Sequence, residues 1–293
     1  MFGLQKYIRP FSMHKCVCGP RSRMPSALEW YYPTTSLVWK KHASLAPSSL
    51  SQVKNCEQYL QHCHTNNVSF TSTVFRGTLY EYASKAFLED KLKCFDLVRK
   101  GGAFDNGIDL VGKWDLSHFF KLNETDIKAA KVLRSRAKVI PIITNSKELH
   151  ELKNTKSTKK NISIKHDINI LVQCKNHRTK IKASILRELV GIYSQYIKND
   201  DDKNSTFMVL MSPSPLSKQA HSIIDQTSIP LIHIILSPLE LSSHDTSIDN
   251  SVIDSWDGGV VQSIYLNSYS KILLKYLNIE LEFQKLKSYI MLS

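Results

Sequence analysis

The chain has 293 residues, with 39 Lys and Arg against 26 Asp and Glu, a net charge of +13 and 42% hydrophobic residues. That length and apolar fraction suit one large domain or two small ones with a buried core, and they disfavour wholesale disorder, collagen-like chains and repeat arrays. The longest apolar runs, such as Leu231 to Leu236, fall far short of the roughly 18–20 residues that a membrane-spanning helix needs.

The first 28 residues hold Lys6, Arg9, Lys15, Arg21 and Arg23 and no acid, with Phe2, Leu4, Tyr7, Ile8 and Phe11 interleaved among the charges. This basic, acid-poor, amphipathic composition is that of a mitochondrial presequence and lacks the uninterrupted apolar stretch of a secretory signal. It predicts a mitochondrial protein, in the matrix. Residues 29–66, with Pro33, Pro47 and a short helix near Val53 to Tyr59, read as a linker or as an extension packed on the domain. Cys16, Cys18, Cys56 and Cys63 fall in this N-terminal stretch beside His62 and His64. The types suit zinc, but Cys16-x-Cys18 lacks the usual ligand gap, and Cys94 and Cys174 sit in apolar patterns as small hydrophobes. Residues 67–293 keep 31 basic against 24 acidic residues, a mildly basic balance compatible with a polyanionic partner.

The body reads as an α/β unit, with a core over 67–241. Leu79, Ala83, Ala86, Phe87, Leu88, Leu92, Phe95 and Leu97 recur at helical spacing and predict a helix from Leu79 to about Val98, ended by Gly101 and Gly102. Phe104 to Val111 then reads as a strand with Ile108 and Leu110 on one face and Gly107 and Asp109 on the other. Residues 113–167 form a basic insertion, with twelve Lys and Arg against five acids from Lys121 to Asp167. Within it Ile127 to Val139 resembles a helix carrying Lys128, Lys131, Arg134, Arg136 and Lys138, Val139 to Ile143 a strand broken by Pro141, and Asn154 to Asn161 a loop. Such a stretch fits either a solvated insertion or a phosphate-contacting surface.

From Ile168 the alternation is strand-like: Ile168, Ile170, Val172 and Cys174 share one face, and Gln173 and Lys175 the other. A helix is predicted over Ala183–Ile197, a strand over Phe207–Met211, a helix over Ser217–Asp225 and a strand over Leu231–Leu236. This alternation means a mixed sheet flanked by helices. Residues 242–293 add a Ser- and Asp-rich loop, a strand over Val260–Leu266 and a helix over Tyr269–Leu286, placed at the domain's edge.

Glu81 on a helix, Asp109 on a strand and Gln173-x-Lys175 on a later strand interrupt otherwise regular patterns. Two acids and a lysine converging on one sheet edge would hold a hard divalent cation and steady developing charge, which is equipment for phosphodiester hydrolysis. The same residues also fit a structural role: a solvent-facing helix acid, a turn carboxylate satisfied by backbone N–H groups, and an edge-strand charge. No G-x-S-x-G motif supports Ser/His/Asp chemistry, and His166, His177, His221 and His233 read as surface or packed residues. Gly101-Gly102 and Gly258-Gly259 are too sparse for a phosphate cradle. Trp114 and Trp256 could stack on bases, though aromatic residues are more often core.

The order of a helix with Glu, "GGAFDNGIDLVG", "INILVQCK", "ILRELVGIY", "FMVLMSPSPLSKQA" and "IPLIHIIL" over residues 77–236 resembles the Mrr-like branch of the PD-(D/E)xK restriction-endonuclease superfamily. The resemblance implies that Asp109 binds Mg²⁺ (or Mn²⁺), that Glu81 assists it, that Lys175 is catalytic, and that Gln173 stands where most relatives carry an acid, as a weak third ligand. More narrowly, "FRGTLYEY", "GIDLVGKW" and "LVQCK", with the presequence, resemble the fungal mitochondrial family called "required for respiratory growth protein seven". Together these imply a protein of respiratory growth that binds nucleic acid, DNA before RNA, with metal-dependent cleavage in mitochondrial genome maintenance. The alternative is a catalytically inactive scaffold or nucleic-acid-binding factor supporting mitochondrial gene expression. Lys128, Lys131, Arg134, Arg136, His177 and Arg178 are the expected phosphate contacts. Symmetric double-strand cutting would require a homodimer, which no sequence feature demonstrates.

Overall fold

The computed structural model describes residues 49–100, 107–119, 142, 163–238, 259–275 and 277–290, all within one unit, Leu37–Ser293. The presequence, Cys16 and Cys18, Gly101 and Gly102, the basic segment with Lys128, Lys131, Arg134 and Arg136, the 154–161 and 242–257 loops and Trp256 lie outside the described residues.

Helix α1 (Cys56–Thr65) begins at Asn55, whose side chain accepts a hydrogen bond from the Gln58 N–H, and buries Cys56, Tyr59, Leu60 and Cys63. Helix α2 (Thr73–Leu92) starts at Ser72, whose Oγ accepts from the Phe75 N–H at 3.0 Å. Two of its stripes are buried. Phe75, Leu79, Tyr82 and Ala83 pack on α1, while Tyr80, Phe87, Leu88 and Leu92 pack on the sheet.

The expected helix from Leu79 to Val98 ends early. Lys93 closes α2 in the left-handed conformation (φ +59°), and Cys94–Arg99 is strand β1. The misreading has a physical origin in a β-bulge. Asp96 sits at φ +53° and the pairing shifts between Phe95 and Val98, so the inward residues Cys94 and Leu97 stand three apart, a helical spacing on a strand. The bulge leans on Gly112 of β2 (Leu110–Trp114), where a Cβ would lie 2.7 Å from Leu97 Cδ2 and 3.0 Å from the Phe95 carbonyl oxygen.

The sheet runs β1-β2-β3-β4-β5-β6 in chain order. Strand β2 pairs antiparallel with β1 and with β3 (Asn169–Cys174). Strand β4 (Thr206–Ser212) then lies parallel to both β3 and β5 (Leu231–Leu236), and β6 (Val261–Leu266) closes the far edge antiparallel to β5. Every residue of β4 is buried, as expected of a parallel strand covered on both faces. The crossovers are helix α3 (Ala183–Tyr196), followed by the one-turn α4 (Asp200–Lys203), and helix α5 (Lys218–Gln226), capped by Ser217 Oγ.

Helices α3 and α5 cover one face, against Leu171, Met208, Leu210 and Leu231. The other face packs Ile168, Ile170, Val172, Phe207, Val209 and Ile232 against α2 and the C-terminal helices. The expected pairing of Ile108 with Leu110 on one face is corrected: Ile108 joins the first of these cores and Leu110 the second. Gly107 turns at φ +76° and the strand proper starts only at Leu110, so strict alternation does not extend back to Ile108. Trp114 is core, fully buried, with Nε1 donating to the Leu92 carbonyl at 2.7 Å.

The single helix expected over Tyr269–Leu286 is two, α6 (Ser268–Leu273) and α7 (Ile279–Ile290), broken where Leu274 and Leu277 turn inward and the Asn278 N–H donates to the Phe119 carbonyl at 3.0 Å. Ile272 of α6 is exposed, while Leu273 beside it is buried. Asn267 locks this corner. Fully buried, its amide nitrogen shares its two hydrogens among the carbonyls of Ile224 and Ile229 and Thr227 Oγ1, while Oδ1 accepts from the N–H groups of Leu231 and Ser270. Stranding buried backbone groups costs about 1–3 kcal/mol each. Asn267→Ala should therefore lower the unfolding free energy by at least about 3 kcal/mol in urea titration, and an unchanged midpoint would show that this corner does not depend on it.

Candidate functional site

The site lies where β2 begins and β3 ends. Leu110 pairs with Val172, which sets Asp109 opposite Gln173. The Asp109 N–H donates to the Val172 carbonyl at 2.9 Å, its carbonyl accepts from the Lys100 N–H at 2.8 Å, and its Oδ2 accepts from the Cys174 N–H at 2.6 Å. The carboxylate is thus held by the backbone of the strand carrying Gln173, Cys174 and Lys175.

Gln173 is 2% exposed, and its Oε1 is buried without a hydrogen-bond partner. Its amide lies beside Gly107, where an added Cβ would stand 3.4 Å from Nε2 and 2.6 Å from Ile192 Cδ1 of α3. The positive φ and this close approach together require glycine at 107. Lys175 follows just beyond β3, its N–H donating to the Met211 carbonyl at 2.9 Å, and its side chain is half-buried.

Glu81 projects from α2 and is engaged by Arg99 of β1, whose Nε donates to Glu81 Oε2. The guanidinium also reaches Thr78 Oγ1 at 3.4 Å and lies 5.5 Å from the centre of the Tyr82 ring. Burial pushes the Cys174 thiol well above the usual range, and Asp109 and Glu81 push it the same way, with Ser84 and Arg99 opposing. Asp109, Glu81 and Arg99 are therefore near enough to the Cys174 thiol, at the end of β3, to act on it electrostatically. Asn176 joins the same end to α2, its Nδ2 donating to the Arg76 carbonyl at 3.1 Å.

The structure thus brings Asp109, Gln173 and Lys175 to one sheet end, with Glu81 bordering it from α2. His177 and Arg178 follow on the exposed loop after β3. The buried amide oxygen of Gln173 and the Asp109 carboxylate are hard oxygen donors of the kind Mg²⁺ or Mn²⁺ takes. Among the described residues no three His, Cys, Asp or Glu side chains gather as a metal-holding group. Cys56 and Cys63 are buried under α1 and α2, and burial raises the Cys56 thiol to about 12.

Two features went unread in the sequence. Arg99 is one, because residues 94–99 resemble the end of a helix. The other is a buried pair formed by Ser212 at the end of β4 and His233 within β5, where Ser212 Oγ lies 2.8 Å from His233 Nε2. Ser212 Oγ donates to the Ser214 carbonyl at 2.7 Å, so His233 Nε2 is the donor to Ser212. Both residues are buried, and each finds its hydrogen-bond partner inside the fold, His233 in Ser212 and Ser212 in the Ser214 carbonyl, which makes the pair structural.

The chain is therefore a mixed α/β protein whose six-stranded sheet carries a carboxylate, an amide and a lysine at one end. The family model described as Required for respiratory growth protein 7 matches residues 72–274, and the chain belongs to that family. Similar proteins of that name, each termed mitochondrial, are those of Vanderwaltozyma polyspora (35% identical, covering 75% of this chain and 82% of that protein), Zygosaccharomyces rouxii (28%, covering 86% and 93%) and Saccharomyces cerevisiae (30%, covering 74% and 85%). No solved structure matches the chain. Among the described residues, no helix is long and apolar enough to cross a membrane.

Burial, reinforced by His221, pulls the His233 pKa down to about 4, below the ~6.5 of a free imidazole. Between those values the unfolded chain binds a proton that the folded chain refuses, so stability falls as the pH drops through that window. The loss attributable to His233 should approach roughly 3 kcal/mol at the acid end. Urea denaturation from neutral to acid pH should show a steeper decline in the wild type than in His233→Gln, and equal slopes would remove His233 from the account.

Proposed function

We propose that this mitochondrial protein of respiratory growth acts on nucleic acid as a metal-dependent phosphodiesterase at the Asp109–Gln173–Lys175 end of the sheet, serving mitochondrial genome maintenance. The observation that carries the reading is the buried, unpartnered Oε1 of Gln173 opposite the Asp109 carboxylate. A buried amide oxygen is costly unless something supplies a partner. The resemblance of residues 77–236 to the PD-(D/E)xK superfamily implies a metal ligand, a weaker ligand and a lysine at these positions. The relatives' names supply the mitochondrion and respiratory growth.

Asp109 and Gln173 would hold Mg²⁺ or Mn²⁺, which when bound supplies Lewis-acid polarisation of a phosphoryl oxygen. The Cys174 N–H fixes the Asp109 carboxylate at the strand end. Lys175 contributes a compact ammonium that offsets charge developing on the phosphoryl oxygens. Arg99 holds Glu81 at the border, so that this acid assists from the side.

The Glu81–Arg99 pair favours a second reading, because a carboxylate committed to a guanidinium is a weaker metal ligand. In it the fold serves as a nucleic-acid-binding factor without cleavage. One assay separates the two. The purified full chain is incubated with supercoiled, linear and single-stranded DNA and with RNA in Mg²⁺ or Mn²⁺, beside Asp109→Asn and Lys175→Ala. Cleavage that falls by 100-fold or more in both variants is expected, on the order of what removing one charge-stabilising group costs. Binding without cleavage in the wild type would move the assignment to the binding factor.

A further inference from the structure

Beyond the site residues, the same end of the sheet carries a cationic platform. No acid occurs between Asp167 and Glu188, nor between Asp202 and Asp225. The loops after β3 and β4 therefore leave the strands without a carboxylate and with Lys175, Arg178, Lys180 and Lys182 on one and Lys218 on the other. Arg76 of α2 stands beside them, tied through its carbonyl to Asn176. All but Lys175 are exposed. None of the six forms an ion pair with a carboxylate among the described residues, whereas Lys85, Lys91, Arg99, Lys271 and Lys285 all do.

The platform is held in shape by its backbone. Ile181 and Leu216 form a parallel bridge between the two loops, the Ile181 N–H donates to the Pro215 carbonyl at 2.9 Å, and the Ser217 N–H donates to the Ile181 carbonyl at 2.9 Å. Ser214 Oγ donates to the His177 carbonyl at 2.7 Å. The two loops that carry the charges are thereby tied to one another. Helix α3 adds to the field, because no side chain caps its first turn at Lys182, and its N–H groups face the same end.

From this arrangement we infer that the β3 and β4 loops form a docking track for the phosphodiester backbone of a duplex, read by charge and without base selection. The inference rests on the nucleic-acid reading given above and deepens it by naming the surface. A cluster of like charges with no carboxylate partner among the described residues favours a polyanion, and Lys and Arg release counterions when they neutralise phosphates. Residues 175–182 and 213–218 contain no Phe, Tyr or Trp on which an unstacked base could lie, which favours backbone contact over single-strand stacking. Arg178, Lys180 and Lys182 are the centre of the track. They lie next to Lys175, so a strand held there passes the Asp109–Gln173 pair.

The test uses the full chain in EDTA, with fluorescence anisotropy on labelled duplex DNA and duplex RNA of unrelated sequences between about 50 and 200 mM salt. The triple variant Arg178→Gln, Lys180→Gln, Lys182→Gln is compared with Lys91→Gln, Lys165→Gln, Lys198→Gln. The latter removes the same charge from exposed positions at the opposite end of the sheet. The track variant should bind at least about 10-fold more weakly, and its log–log salt slope should flatten by roughly 2–3, about 0.9 for each phosphate that is no longer neutralised. The opposite-end variant should change less than about 3-fold, and both duplexes should bind regardless of sequence.

Equal weakening in the two variants would mean diffuse charge and overturn the track. So would binding only to phosphatidylcholine–cardiolipin vesicles, with none to either duplex. Thermal melts matching the wild type establish that both variants fold. If duplex binding by the wild type in EDTA holds and falls in the track variant, while wild type with Mg²⁺ cuts nothing, the phosphodiesterase reading fails and the track stands. Cleavage with a track variant of undiminished affinity gives the reverse result.

Discussion

Leu110 pairs with Val172, and that one step of register decides what stands at the end of the sheet. Side chains on a strand alternate faces, so a slip of one residue would turn Asp109 away from Gln173 and send Leu110 and Trp114 out of the core. The register is secured from both directions. Leu110, Trp114 and Val172 are fully buried on the face under α2, and Trp114 hydrogen-bonds the last turn of that helix. At the other end the Asp109 carboxylate accepts the Cys174 N–H. The polar end of the pairing therefore inherits its geometry from an apolar interior that tolerates no other alignment.

Helix α2 transmits the same constraint to Glu81. One side of the helix packs on the sheet and another on α1, which leaves a narrow border where Thr78, Glu81 and Tyr82 meet Arg99. Arg99 can reach them because the bulge at Asp96 re-aims the end of β1. A strand irregularity far from the apolar centre thus determines which charge Glu81 meets.

Much of this is legible in the sequence. Strand β5 has the bounds that its apolar run announces, β4 differs by a residue at each end, and α3 and α5 fall within one residue of their expected limits, because buried parallel strands read as uninterrupted apolar runs and their crossover helices as clean stripes. What misleads are places where local geometry imitates another period. The bulge in β1 gives Cys94 and Leu97 helical spacing, and the turn at Leu274–Leu277 keeps the apolar spacing of a helix that is broken there. The alternation of β3 places Gln173 and Lys175 on one side, but the surroundings of Glu81 and Gln173 depend on Arg99 and Gly107, 18 and 66 residues away in the chain, which no local pattern encodes. Asn267, with five buried hydrogen bonds, has the sequence context of an ordinary turn residue.

The amide at 173 has a consequence for how folding and chemistry are coupled. Glu81 and Asp109 bring two negative charges to this end, and Arg99 pairs with the first of them. A carboxylate in place of Gln173, at 2% exposure, would add a third negative charge in a nearly dry position. Its desolvation would cost several kcal/mol unless a cation were present to offset it. The fold would then depend on that cation. A neutral amide keeps an oxygen donor at the same place at the smaller cost of one unpartnered polar atom, so the β2–β3 register does not depend on a cation. The stability of this sheet end is then separable from any ligand that the proposed site would take.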